Sequence, residues 1–88
     1  MTIKEDFDNL IDKLKTERDE LALKLHLASM EAKEEFEGTE QQWQLIKTKA
    51  AEIADDSVET SEDFIAKAKI VGDELKETYQ RIAKRISE

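Results

Sequence analysis

From Ile3 to Ile53 the large apolar side chains return every three or four residues, with no proline to interrupt them, and that period makes the helix the unit of this chain. At about 100° of rotation per residue, Ile3, Phe7, Leu10, Leu14, Leu21, Leu25, Ala28, Ala32, Phe36, Trp43, Ile46, Ala50 and Ile53 share one narrow stripe. Polar residues intrude only at Arg18 and Thr39, and the opposite side is charged. A 3.5-residue heptad would drift off this stripe by roughly 140° over that length. The pattern therefore describes nearly straight helices, not a tightly supercoiled zipper.

A second stretch repeats the pattern in Phe64, Ala68, Val71, Leu75, Tyr79, Ile82 and Ile86. Glu62 and Asp63 stand at its start and Arg81, Lys84 and Arg85 near its end, the order that complements a helix dipole. Pairs four residues apart, Glu20/Lys24, Asp63/Lys67 and Glu77/Arg81, each add about 0.2–0.5 kcal/mol of helix support. Between the two stretches, Asp55 to Asp63 lacks strong stripe residues and is rich in acids, Ser and Thr, which favour caps over helix interiors. Thr60 with Asp63 has the spacing of a loose capping box. The expected fold is a single all-α domain: a helix over about 3–54, a connection over about 55–60 and a helix over about 60–87, folded as a hairpin. Gly38 is the rival break, with Thr39 and Gln42 as a capping box behind it. Against it, the stripe holds its phase through Gly38, from Phe36 to Trp43. The phase also survives from Ile53 to Phe64, so one continuous rod remains a third arrangement.

The hairpin reading has a consequence for association. A helix over 3–54 would be about 75 Å long and its partner only about 40 Å, at 1.5 Å per residue. Phe36, Trp43, Ile46, Ile53, Phe64, Val71, Leu75, Tyr79 and Ile82 would form the hairpin core. Ile3, Phe7, Leu10, Leu14, Leu21 and Leu25 would lie uncovered, and an exposed stripe of that kind marks an interface. Leu23, Leu27 and Met30 make a second apolar side on the same helix, which suits a bundle of several helices. The expected oligomer interface thus comprises Ile3, Phe7, Leu10, Leu14, Leu21, Leu25, Leu23, Leu27 and Met30, with another copy of the chain as partner.

Composition narrows the function. A net charge of −8 argues against nucleic acid or an anionic lipid surface as the main partner. The absence of cysteine removes disulfides and thiolate metal sites and fits a reducing compartment. The opening residues, with Lys4, Glu5, Asp6 and Asp8, do not resemble a signal peptide, and no apolar run reaches the ~18 residues of a membrane span. A cytoplasmic location is the expectation.

Candidate sites give way to structural readings. His26 with Met30 could in principle hold a soft metal, but two ligands do not make a site, and a solvated helix histidine is the expectation. The acids of Asp55 to Asp63 lack the Asp-x-Asp-x-Asp-Gly pattern of a calcium loop. Glu31, Glu34, Glu35 and Glu37 lack the Glu-x-x-His pairs of a di-iron helix. Trp43 and Tyr79 lie on their stripes as packing residues. Ser29, Ser57, Ser61 and Ser87 have no base to activate them, and no Gly-rich phosphate loop exists. No enzyme activity, metal or cofactor is expected.

Two segments, Glu40-Gln41-Gln42-Trp43-Gln44-Leu45-Ile46-Lys47 and Ser61-Glu62-Asp63-Phe64 running on to Gly72-Asp73-Glu74-Leu75-Lys76-Glu77-Thr78-Tyr79-Gln80-Arg81-Ile82, resemble small bacterial coiled-coil proteins without assigned function. The resemblance implies an all-helical bacterial protein and no particular chemistry. The secreted Trp-x-Gly helical-hairpin family has a similar length, but Trp43-Gln44-Leu45 lacks its glycine. The expected function is structural: an interaction protein working through helix–helix association, as a homo-oligomer. An acidic adaptor that sequesters a basic protein is the alternative. Association with a lipid surface ranks last, because the polar face is acidic where such helices carry Lys and Arg.

Overall fold

A computed structural model of the chain describes residues 2–55 and 59–87. The described residues form three α-helices and no strand: α1 (Ile3–Lys24), α2 (Met30–Ala54) and α3 (Glu62–Ser87), with one turn of 3-10 helix, Leu25–Leu27, between the first two. The chain is all-α and its helices pack on one another, as the stripe requires.

Each helix starts on a hydroxyl. Thr2 Oγ1 accepts from the Glu5 N–H at 3.2 Å, Ser29 Oγ from the Ala32 N–H at 3.2 Å and Ser61 Oγ from the Phe64 N–H at 3.1 Å. A cap of this kind satisfies a donor that the helix cannot, and is worth about 1 kcal/mol. The cap of α3 is Ser61, one residue later than the expected Thr60. Asp56, Ser57 and Val58, part of the expected connection and of the acidic segment, lie outside the described residues.

The continuous helix expected over 3–54 is corrected. It breaks after Lys24, and the chain reverses through Ala28 (φ −88°, ψ 160°) and Ser29 (φ −66°, ψ 161°), both extended. Ser29 supplies the local alternative, since its hydroxyl offers the backbone a capped start in place of another helical turn. The stripe keeps its phase across this reversal although the helix does not continue, and α1 and α2 both turn their apolar faces onto α3. Unbroken phase therefore says nothing about whether the helix is unbroken. Gly38, the other candidate break, sits inside α2.

The reversal makes an up-down-up bundle. Arg18 pairs with Glu40 across antiparallel α1 and α2, and Phe36 stacks on Tyr79 across antiparallel α2 and α3. Leu10 lies against Gly72, while Glu17 and Leu21 share a cleft with Tyr79 and Ala83, so α1 and α3 run parallel. The long axis of 43 Å is close to the length of one 25-residue helix, about 38 Å. A straight helix over 3–54 would have needed nearly twice that.

Helix α3 is the central element, packed by both others. Its core face is Ile65, Ala68, Gly72, Leu75, Tyr79 and Ile82. Phe64 and Val71, expected in the core, are half-buried on its flank, because a helix covered from two sides buries the line between them. Gly72 permits the close approach of α1: a Cβ there would lie 2.7 Å from Leu10 Cδ2. Gly38 has no such duty, since a Cβ built on it meets nothing within 4 Å. Glycine inside a helix costs ~0.8–1.0 kcal/mol against alanine. Gly38→Ala is therefore expected to stabilise the chain by about 1 kcal/mol, read as a higher urea midpoint with an unchanged slope.

Candidate functional site

The residues expected to form an oligomer interface separate into two groups. Phe7, Leu10, Leu14 and Leu21 are buried inside the chain's own core, and Ile3 and Leu25 are half-buried against it. This corrects their assignment to an interface. α1 and α2 are each short enough for α3 to cover, so a single chain shields what one long helix would have left bare. Leu23, Leu27 and Met30 remain 73%, 81% and 74% exposed. They lie within eight residues of sequence around the α1–α2 turn, at the end of the bundle where α3 also finishes. His26 lies in the same turn and is exposed.

Charge divides along the long axis. At the end opposite the turn, residues 2–10, 52–55 and 59–65 hold eight carboxylates and a single lysine, Lys4. At the turn end, residues 20–35 and 80–87 hold five Lys and Arg side chains and four carboxylates. Most of the net negative charge thus lies away from Leu23, Leu27 and Met30. The ends differ because α1 and α3 both begin at the acidic end, where Glu5, Asp6, Glu62 and Asp63 suit the positive poles of two helices.

Between the ends lies a polar waist. The Arg18 guanidinium donates to both oxygens of Glu40, Nε to Oε1 at 3.0 Å and an Nη to Oε2 at 2.8 Å. Its carbon lies 5.6 Å from the centre of the Trp43 ring. Paired geometry of this kind, with the cation over an aromatic face, contributes on the order of 1 kcal/mol when half-exposed. Buried Thr39 donates its hydroxyl to the Phe36 carbonyl at 2.6 Å. Burial pushes the Tyr79 hydroxyl up to about 12, with Thr39 and Arg18 opposing the shift. Among the described residues, Tyr79 Oη, Glu17 Oε2 and Glu35 Oε2 are buried oxygens without a hydrogen-bond partner. Burial also raises the Glu17 carboxyl above its usual range, against the pull of Lys76.

Sequence reasoning missed this waist, yet it carried a signal. Arg18 and Thr39 are the two polar residues that interrupt the stripe, and folding brings both beside Tyr79. Trp43 is buried, as are Phe36, Ile46, Ile53, Leu75, Tyr79 and Ile82. A cleft of about 150 Å³ opens beside the waist between Glu17, Leu21, Lys24, Tyr79 and Ala83. Among the described residues, no three His, Cys, Asp or Glu side chains are placed to share a metal ion. No helix of the described residues is long and apolar enough to cross a membrane.

Fold and surface together define an up-down-up three-helix bundle with an apolar end and an acidic end. No protein-family model, curated protein or solved structure matches the chain.

Proposed function

We propose that this chain is a non-catalytic interaction protein of the cytoplasm, working through helix association at its turn end. One observation carries the reading: Leu23, Leu27 and Met30 are left in water by a fold that buries Phe7, Leu14, Ile46, Leu75 and Ile82 almost completely. Each such side chain gains about 1.5–3 kcal/mol on full burial, and clustered exposure is the mark of a contact surface. Substituting all three by serine should leave the melting curve nearly unchanged, since none contributes to the core. Cross-linking in cells is expected to give adducts with the native chain and to lose them with the same triple variant. Identical adducts from both proteins would remove the proposal.

A second reading rests on the opposite end, whose eight carboxylates suit a basic protein. Contacts made there weaken as salt is added. Glu59→Lys combined with Glu62→Lys would abolish that binding and spare any contact made by Leu27. A partner retained at high salt by the doubly substituted chain would exclude the acidic-adaptor reading.

A further inference from the structure

We infer that the occupant of the turn end is a second copy of this chain, docked end to end about a two-fold axis. The inference rests on the interaction reading above and names its partner.

Charge decides among the occupants. A chain of net charge −8 repels its own copy over most orientations. The turn end carries little of that repulsion, because its five basic and four acidic side chains nearly cancel, and there the exposed Leu23, Leu27 and Met30 coincide with near-neutral charge. In a two-fold contact the same patch faces itself, so Lys24 and Lys84 of one protomer can lie near Glu31 and Glu34 of its partner. Docked this way, the acidic ends point outward. Each is separated from the contact by most of the 43 Å axis, several times the ~8–10 Å over which charges act at ordinary salt. Other occupants fit less well. A basic protein is drawn to the far, acidic end, and an anionic bilayer repels the chain as a whole.

Three apolar side chains per protomer make a small contact, so the dimer is weak, with a dissociation constant on the order of 10⁻⁴ M. Salt separates the two readings: an apolar contact between near-neutral ends changes little as charges are screened, whereas an acidic end bound to a basic partner is weakened.

Sedimentation equilibrium of the full chain from about 10 µM to about 1 mM, at about 0.05 M and about 0.5 M salt, tests this directly. The expected result is a monomer–dimer equilibrium, changed by less than about two-fold between the two salts and absent from the Leu23→Ser, Leu27→Ser, Met30→Ser triple variant, which keeps its helicity. The chain has no cysteine, so single thiols can mark geometry without interference. His26→Cys should join two copies through a short bis-maleimide, and Glu59→Cys should not. A monomer at about 1 mM in both salts overturns the inference, and so does a dimer indifferent to the triple substitution or one joined through Glu59→Cys. A monomer that binds neutral phosphatidylcholine vesicles through these three residues also overturns it, assigning the surface to lipid. The interaction reading itself fails separately, only if the in-cell adducts survive the triple variant.

Discussion

Leu14→Asp is expected to unfold the whole chain, at every protein concentration, and not to release folded subunits from an assembly. Leu14 is completely buried, and it sits where α1 meets Gly72 of α3. The substitution removes about 1.5–3 kcal/mol of burial and puts a carboxylate among the apolar side chains of the core, while Arg18, four residues on, is already held by both oxygens of Glu40. An unpaired charge in such a place costs several kcal/mol more. Together these approach the ~5–15 kcal/mol that holds an ordinary small domain folded. Far-UV circular dichroism should show loss of helix in all three segments together, because α3 needs α1 to cover one of its sides. A variant that keeps α2 and α3 helical, or sediments as a folded monomer, would refute the single shared core. The same substitution at Leu27, which is 81% exposed, should leave the fold intact and remove only the proposed self-contact.

Alkaline pH is expected to destabilise the chain through Tyr79. The hydroxyl of an unfolded tyrosine ionises near 10, whereas burial raises that of Tyr79 to about 12. Between those values the unfolded chain has released a proton that the folded chain still holds. Stability is then lost as pH rises from about 10 to about 12, at ~1.4 kcal/mol per unit, on the order of 2–3 kcal/mol in all. Below pH ~9 the contribution is fully present. Tyr79 is the only tyrosine, so phenolate absorbance reports this group alone. Urea midpoints measured across the window should fall in the native chain and fall much less in Tyr79→Phe. Because Tyr79 Oη has no hydrogen-bond partner among the described residues, that variant should also be as stable as the native chain, or more so, at neutral pH, since removing an unsatisfied buried hydroxyl relieves its desolvation cost. A normal phenol titration near pH 10 in the folded chain would refute the account.

How much of this was legible before folding can be judged residue by residue. The stripe Phe7, Leu10, Leu14, Leu21 and the stripe Phe36, Trp43, Ile46, Ile53 announced two buried helical faces, and both are buried. The surplus apolar side at Leu23, Leu27 and Met30 was equally legible and stays exposed. The turn between the stripes was not. Ser29 is an ordinary cap, and the period runs through it undisturbed. Periodicity records which side of a helix is apolar and is blind to the direction in which the helix points. The waist was hidden for a related reason. Arg18 and Glu40 are 22 residues apart and meet only because the chain reverses between them. Ile65 and Gly72, which lie off the expected stripe of α3, became core because two neighbours rather than one cover that helix.

The sequence by itself determined that the chain is helical, which side of each helix is greasy and that its net charge is acidic, since these depend on residue type and on spacing within one helix turn. Tertiary structure alone decided that α3 covers α1, that Arg18 finds Glu40 and that the acids gather at one end of the bundle. Those outcomes depend on the reversal at Ala28 and Ser29, where the choice between another helical turn and a capped new start is worth about 1 kcal/mol locally. The burial of a whole helix face, many times larger, settles it.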